Sequence, residues 1–323
     1  MKPATSNSSM QTSNTGSPTY VLMTAAYNEE ALIETTIKSV LAQELRPEKW
    51  VIVSDGSTDR TDSIVEHYAQ QHDFIHFLRV ARKPGHSFSS KVRALHKAWS
   101  ILQGTPCSFV GNLDADVSIA PAYFAELIAR LQQYPALGLV SGFVYEQKGG
   151  EFRSRPSNRA GSVPHAAQLM RRECYEAIGG YSALKYGGED WYAQICAKMN
   201  GWEIEAVSQL LIFHHKPTGA GTYLLRHRFR LGRLDYSFGS IPVFEIAKCF
   251  IRVTERPIIA GAALRLLGFV WCYLRQEPRA IPRECVAYLR KEQMGRLWAL
   301  FARPNAPARQ PATRAVLPER YPT

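Results

Sequence analysis

The 323-residue chain has six cysteines and no Cys-x-x-Cys pair among them. Cys107, Cys174, Cys196, Cys249, Cys272 and Cys285 are scattered, several inside apolar runs. That pattern excludes a paired-cysteine motif and fits free buried thiols in a reducing compartment. Residues 1–18 are rich in Ser, Thr, Asn and Gln and lack an apolar core, which excludes a signal peptide or anchor there and predicts a disordered leader. No repeat period is visible. Long apolar runs are missing too: the best candidate, between Arg256 and Arg275, is interrupted by Arg265. A spanning helix needs about 20 apolar residues, and a central arginine costs roughly 2.5–3.5 kcal/mol on insertion scales. Spanning is therefore disfavoured. An interfacial helix accommodates the same residues at lower cost, with a helical appendage packed on the rest of the chain as the alternative.

Acidic residues are scarce in the last third. From residue 220 onward there are 18 Lys+Arg against 7 Asp+Glu, whereas the first 219 residues hold 21 of each, so the net charge of +11 belongs entirely to the carboxyl-terminal part. Arg226, Arg228, Arg230 and Arg233 alternate there with Leu224, Leu225, Phe229 and Leu231. So many large apolar residues do not suit a phosphate-tracking arm, and no RNA- or DNA-binding motif accompanies them. Nucleic acid is not expected as a partner. An anionic membrane surface is.

What the chain does have is strands that stop on polar turns. Tyr20 to Thr24 is an apolar strand ending at Ala25-Ala26-Tyr27-Asn28-Glu29-Glu30, followed by a helical repeat of Leu32, Ile33, Ile37, Val40 and Leu41 that Asn28 is placed to cap. Trp50 to Val53 ends at Ser54-Asp55-Gly56-Ser57-Thr58-Asp59 and leads to a second helix. A third strand, Phe74 to Val80, runs into the basic, flexible stretch Arg82 to Ser87, and a helix from Lys91 to Gln103 follows. Phe109 to Leu113 stops on Asp114-Ala115-Asp116. After a helix from Tyr123 to Gln133 the pattern loosens: a mobile loop over Gly149 to Pro164, a helix over Ala166 to Ala177, the turn Gly179-Gly180-Tyr181, and a helix opened by Gly187-Gly188-Glu189-Asp190. Strands Trp202 to Val207 and Leu210 to Phe213 come next, the second stopping on His214-His215-Lys216-Pro217. Alternation of this kind predicts an α/β fold with a mostly parallel sheet flanked by helices.

In such a sheet, ligands bind beyond the carboxyl ends of the strands. Asn28/Glu29, Asp55, Asp114/Asp116 and His214/His215 all follow apolar runs directly and so gather on one edge. Residues two apart on an extended chain point the same way, so Asp114 and Asp116 can converge on Mg²⁺ or Mn²⁺, leaving its other positions to water and phosphate. Neighbouring strand residues diverge, so one imidazole of the His214-His215 pair can join them; His215 is slightly favoured and His214 remains open.

The ordered set Tyr27-Asn28-Glu29-Glu30, Asp55-Gly56-Ser57-Thr58-Asp59, Asp114-Ala115-Asp116, Gly179-Gly180-Tyr181 and Glu189-Asp190 resembles family 2 glycosyltransferases over roughly residues 19 to 217. The resemblance implies a GT-A (Rossmann-like) fold and inverting transfer from a nucleotide-diphosphate sugar donor. It further implies that Ala25, Asn28, Glu29 and Asp55 line the nucleotide pocket, Asp114 meets the ribose, and Asp116 with His215 or His214 holds the metal. Asp190 matches the general base, with Glu189 in reserve, and Lys91 is placed near the donor. The sequence departs from the family pattern in three respects: Ala25 stands where proline is usual, and the Lys91 to Trp99 helix lacks the usual glycine and asparagine, with His96 at the latter place.

The expected organisation is a leader (1–18), a GT-A nucleotide-sugar transferase domain (19–217), a basic, amphipathic helical membrane-associating region (218–302) and a disordered tail (303–323). The expected activity is metal-dependent sugar transfer to a lipid-linked or saccharide hydroxyl in cell-surface or exopolysaccharide synthesis, at the cytoplasmic, inner face of the cell membrane. Two other readings compete: transfer directly to a polyprenyl phosphate, and a noncatalytic nucleotide-sugar-binding subunit.

Overall fold

β1 (Tyr20–Ala26) has no polar face to offer solvent. Tyr20 and Leu22 enter one apolar cluster, Val21 and Met23 another, and all four are fully buried. A strand covered on both sides needs helices above and below. One layer is α1 (Ile33–Leu41), α2 (Thr61–Gln71) and α4 (Tyr123–Gln133), which contribute Ile33, Ile37, Val65, Phe124 and Leu127. The other is α3 (Ser89–Leu102), through Val92, Leu95 and Ala98. The computed structural model from which this is read describes residues 18–81, 89–216, 223–254 and 257–302. The expected leader up to residue 17, the basic stretch Arg82 to Ser87, Pro217 and the tail from 303 lie outside the described residues.

β2 (Lys49–Asp55) and β4 (Phe109–Leu113) flank β1 in parallel, and β3 (Ile75–Val80) pairs with β2. Beyond β4, the antiparallel β8 (Ala167–Arg171) leads to β6 (Leu137–Lys148), which pairs in parallel with β9 (Glu203–His214). β5 (Val117–Ile119) closes that edge, giving the order β3-β2-β1-β4-β8-β6-β9-β5, with β7 (Glu151–Ser154) hairpinned onto β6. β5, β7 and β8 run against the rest, so the expected mostly parallel sheet is found with its reversals confined to the second half. All six cysteines are free.

Four local expectations change. The helix expected over Ala166 to Ala177 is a strand, β8, followed by the short α5 (Arg172–Ala177). Its first four residues are buried between β4 and β6, and pairing on both edges outweighs their helical preference. The loop expected over Gly149 to Pro164 contains β7, and Asn158 secures it by bonding the Val144 backbone at both N–H and C=O. The two strands expected over 202–213 are one, β9, with an irregularity where the register shifts between Gly142 and Phe143. Finally, Asn28 does not cap α1; it adopts a left-handed conformation (φ 52°) and bonds Ser57 and Thr58 instead.

After β9 the chain is helical: α7 (Tyr223–Ser237), α8 (Pro242–Ile251), α9 (Ala260–Leu274) and α10 (Arg283–Ala302). α7 and α10 share an apolar cluster with α6 (Glu189–Met199), in which Leu184, Tyr186 and Ile195 meet Leu234, Phe238, Ile281 and Leu289. α7 and α9 cross so closely that a Cβ at Gly232 would lie 1.8 Å from the Arg265 carbonyl oxygen, and one at Gly268 2.1 Å from that of Phe229. Only glycine fits at either place.

Arg265, which interrupts the apolar run in the sequence, points inward. Its guanidinium bonds Asp235 at 2.6 and 2.9 Å and Glu245 at 3.0 Å, and Lys248 joins both acids at 2.7 and 2.6 Å. Among the described residues no helix is long and apolar enough to cross a membrane. Removing one partner from a buried ionic cluster leaves a charge without compensation. Arg265→Met should therefore destabilise the fold by about 3–5 kcal/mol in chemical denaturation. Adding Asp235→Asn should restore part of that loss; no recovery would mean that the arginine acts through packing alone.

Candidate functional site

Parallel β1, β2 and β4 deliver their carboxyl ends to one edge, and β9 brings His214 to the same edge. After β4 the chain turns through Asp114, Ala115 and Asp116. Ala115 is buried in the core at 5 % exposure, and its carbonyl, with that of Val117, accepts from Thr36 Oγ1 at 2.9 and 2.7 Å. This pins the turn from below and leaves the two carboxylates on its other side.

Each carboxylate meets a nitrogen group. Asp114 Oδ1 receives Lys91 Nζ at 2.6 Å, and His214 Nε2 lies 3.5 Å from Asp116 Oδ1. Ligand atoms of Asp114, Asp116 and His214 all fall within 4.8 Å of one another, close enough to share one cation. His214 Nδ1 is buried with no hydrogen-bond partner among the described residues. The favoured histidine is thereby corrected: His215 turns away, its Nε2 2.8 Å from Ser118 Oγ and its ring edge-on to Phe152, while its backbone N–H bonds the Asp116 carbonyl. The physical reason is the one that left the choice open, since adjacent residues at a strand end face opposite ways.

The two acids divide their electrostatics unequally. Burial alone would raise Asp114, but Lys91 and His165 outweigh it and hold the carboxyl well below the usual range. Burial raises Asp116, and the Asp114 charge adds to that against the opposing pull of His214. Burial works against the charge of Lys91 too, yet Asp114, Glu189 and Asp116 overcome it and keep the ammonium above the ordinary lysine range. Such a set holds a divalent cation or a diphosphate more readily than a neutral ligand.

Gly187 and Gly188 take left-handed conformations (φ 82° and 91°) that start α6 abruptly at Glu189 and Asp190. Burial, then the adjacent Glu189 charge, pushes Asp190 above the usual carboxylate range, and His165 and Lys91 pull against it. Asp190 is thus in electrostatic contact with the groups around Asp114.

The residues expected on the nucleotide side sit at and just beyond the ends of β1 and β2. Ala25 lies on β1 opposite Val53, and Asp55 ends β2. Asn28 Oδ1 accepts from the Thr58 N–H at 2.8 Å, tying the two turns together, and the Glu29 N–H donates to Thr61 Oγ1 at 2.8 Å. Glu29 Oε1 also meets Lys216 Nζ at 2.9 Å. His96 reaches the Tyr181 carbonyl, 2.6 Å from its Nε2.

Three groups at this edge escaped the sequence reading as site residues. Lys216 was visible only as the residue after the histidine pair. Ser118 carried no signal. His165 has no motif around it, yet it packs 4.5 Å from the Tyr181 ring with Nδ1 2.8 Å from Asn112 Nδ2 and 3.6 Å from Asp114. Its Nε2 is buried and has no partner among the described residues. Its location after Val163-Pro164, at the entry to a strand read as a helix, hid this placement.

Comparison with known proteins agrees with this architecture. Poly-β-1,6-N-acetyl-D-glucosamine synthases of Staphylococcus epidermidis and Staphylococcus aureus are 32% and 31% identical over 121 residues, 36% of this chain. The match covers 26% of the length of those relatives. Among solved structures, the mannosyltransferase PcManGT from Pyrobaculum calidifontis, in complex with GDP-Man and Mn²⁺, superposes with a TM-score of 0.53 at 19% identity, covering 88% of this chain and 81% of that one. S. aureus TarS 1-349 in complex with UDP-GlcNAc gives 0.50 at 16% identity, over 78% and 71%. These likenesses establish a shared GT-A fold. The model of glycosyl transferase family 2 matches residues 22–188, more than half the chain, and this protein belongs to that family.

Proposed function

We propose that this glycosyltransferase moves a sugar from a nucleotide-diphosphate sugar to a hydroxyl acceptor with inversion, in a metal-dependent reaction serving cell-surface or exopolysaccharide synthesis. The observation that carries the reading is the Asp114–Asp116–His214 cluster, tied through Lys91 and His165 to Asp190. The donor set of two carboxylates and one imidazole suits Mn²⁺ or Mg²⁺. A cation bound there would neutralise the growing charge on the diphosphate leaving group.

The protein's own groups supply the rest. Lys91 and Lys216 bring positive charge to the diphosphate side of the cleft. Asp55, Ala25, Asn28 and Glu29 line the nucleotide end, and Asp114 faces the ribose. Asp190 takes the proton of the acceptor hydroxyl as its oxygen attacks the anomeric carbon and the bond to the diphosphate breaks. A carboxylate whose pKa is raised toward the working pH is a better base than an ordinary aspartate. Glu189 is the reserve base.

The outer surface supports association with a membrane, which this reading puts at the inner, cytoplasmic face of the cell membrane. Phe250, Ile258, Ile259 and Leu274 on and around α8 and α9 are each more than half exposed. An apolar surface of this kind suits an anionic bilayer better than water does. The arginines of α7 contribute less than their number suggests, because Arg233 pairs with Glu277 and lies over the Tyr186 ring, while Arg230 bonds the Tyr186 carbonyl.

Asp190→Asn should lower turnover by about 10²–10⁴-fold with donor binding retained, as measured by initial rates. Turnover close to wild type would favour an acceptor already ionised, such as a polyprenyl phosphate. Because Asp190 must be deprotonated to act, its raised pKa should set the acid limb of kcat/KM above the ordinary aspartate range, and the limb should vanish in the asparagine variant. Asp116→Ala should abolish the Mn²⁺-dependent thermal stabilisation given by UDP or GDP. His214→Ala should weaken Mn²⁺ by at least about tenfold and His215→Ala by less. Equal losses would argue against His214 as the ligand.

A further inference from the structure

α6 has a second face. Asp190 belongs to the cleft described above, whereas Trp191, Gln194, Ile195 and Lys198 line cavities on another side of the helix, where it meets α7, α8, α10 and the segment around Arg159. The main cavity has a volume of about 570 Å³, and a smaller one of about 270 Å³ shares Arg159, Trp191, Arg252 and Arg296 with it. Asp114, Asp116, Asp190 and His214 line neither. This space is within the range of small-molecule sites.

Its lining is strongly basic. Arg159, Lys198, Lys248, Arg252, Arg265 and Arg296 face the two cavities against only Asp235 and Glu292. Glu245, in the ionic cluster behind, offsets one more charge and Arg252 has an interaction of its own, yet the six cations still outnumber the acids. Arg159 is exposed and has no ion-pair partner among the described residues. Acidic residues are scarce in the segments outside the described residues as well. Those segments contain two acidic residues, Glu255 and Glu319, against eight basic ones.

The remaining walls are apolar, and two of them lead outward. Ile251 lines the cavity at 56% exposure, next to Phe250 at 74%. Leu297 lines the opposite side next to Trp298, which is 67% exposed. Inside, Phe244 and Trp191 contribute aromatic surface, the latter stacked on Phe238 with centroids 4.3 Å apart. A soluble anion would use the cations and leave these apolar walls wet.

We infer that this cavity binds a phosphorylated amphiphile: a phosphate ester held by the arginines, with its apolar chain lying along Phe244 and Ile251 toward the exposed face of α8. The site is separate from the sugar-transfer cleft and does not depend on the transferase reading. It gives α6 a ligand on each side.

The test uses the full chain and monomeric decyl phosphate, with inorganic phosphate and decyl maltoside as comparisons, read by calorimetry and by the fluorescence of Trp191. Decyl phosphate should bind at least about tenfold more tightly than either comparison. Arg159→Gln combined with Arg252→Gln should reduce that affinity by at least about tenfold, while leaving the thermal melt and the response to UDP or GDP with Mn²⁺ unchanged. Ile251→Ser should weaken decyl phosphate and not inorganic phosphate. Equal binding of inorganic phosphate, equal binding of decyl maltoside, or indifference to the double substitution would each overturn the inference. Loss of the nucleotide response with decyl phosphate binding intact would count against the transferase reading alone.

Discussion

Two carboxylates two residues apart, both drawn into the protein, repel each other unless positive groups meet them. Lys91 does this for Asp114, the His214 imidazole lies beside Asp116, and much of the architecture exists to bring them there. α3 must pack against one face of the sheet to present Lys91. β9 must pair with both β6 and β5 to end at His214. Thr36 of α1, on the opposite face, fixes the turn itself by donating to the backbone carbonyls of Ala115 and Val117 rather than to either carboxylate. The division of charge that results, with Asp114 easily ionised and Asp116 less so, gives the site one settled anion and one that gains most from a cation.

The first half of the fold was legible because its signals are local. β1, β2 and β4 are short apolar runs cut off by polar turns, and parallel strands with helical crossovers leave few topologies open. The second half depends on partners distant in the sequence. Ala166 to Met170 is ambiguous by periodicity and becomes a strand because two edges await it. Asn28 looked like a helix cap because nothing nearby reveals that Thr58, on the next strand's turn, competes for it.

The candidate site was legible to the same extent. Acids at strand ends announce themselves, and the Asp-x-Asp spacing alone puts Asp114 and Asp116 side by side, as the structure has them. The choice between His214 and His215 could not be made from sequence, because it depends on which face of β9 meets β5, a matter of register. His165 was hidden more thoroughly. Its neighbours Asn112, Asp114 and Tyr181 come from separate segments, and a lone histidine before an apolar run gives no sign of them. The arginines of the last third show the converse: their number is plain in the sequence, but Arg265 and Arg233 are spent on internal pairs.

The glycine contacts between α7 and α9 have a mechanical consequence. With backbone against backbone at Gly232 and Gly268, there is no layer of side chains whose rotamer changes could absorb sliding or rolling of one helix over the other. The pair behaves as a single stiff lever. One end carries the exposed apolar residues of α9, and the other holds Tyr186 through Arg230 and Arg233, immediately before the glycines that set the start of α6. A load applied at the outer surface thus has a short, unyielding route to the backbone that carries Asp190.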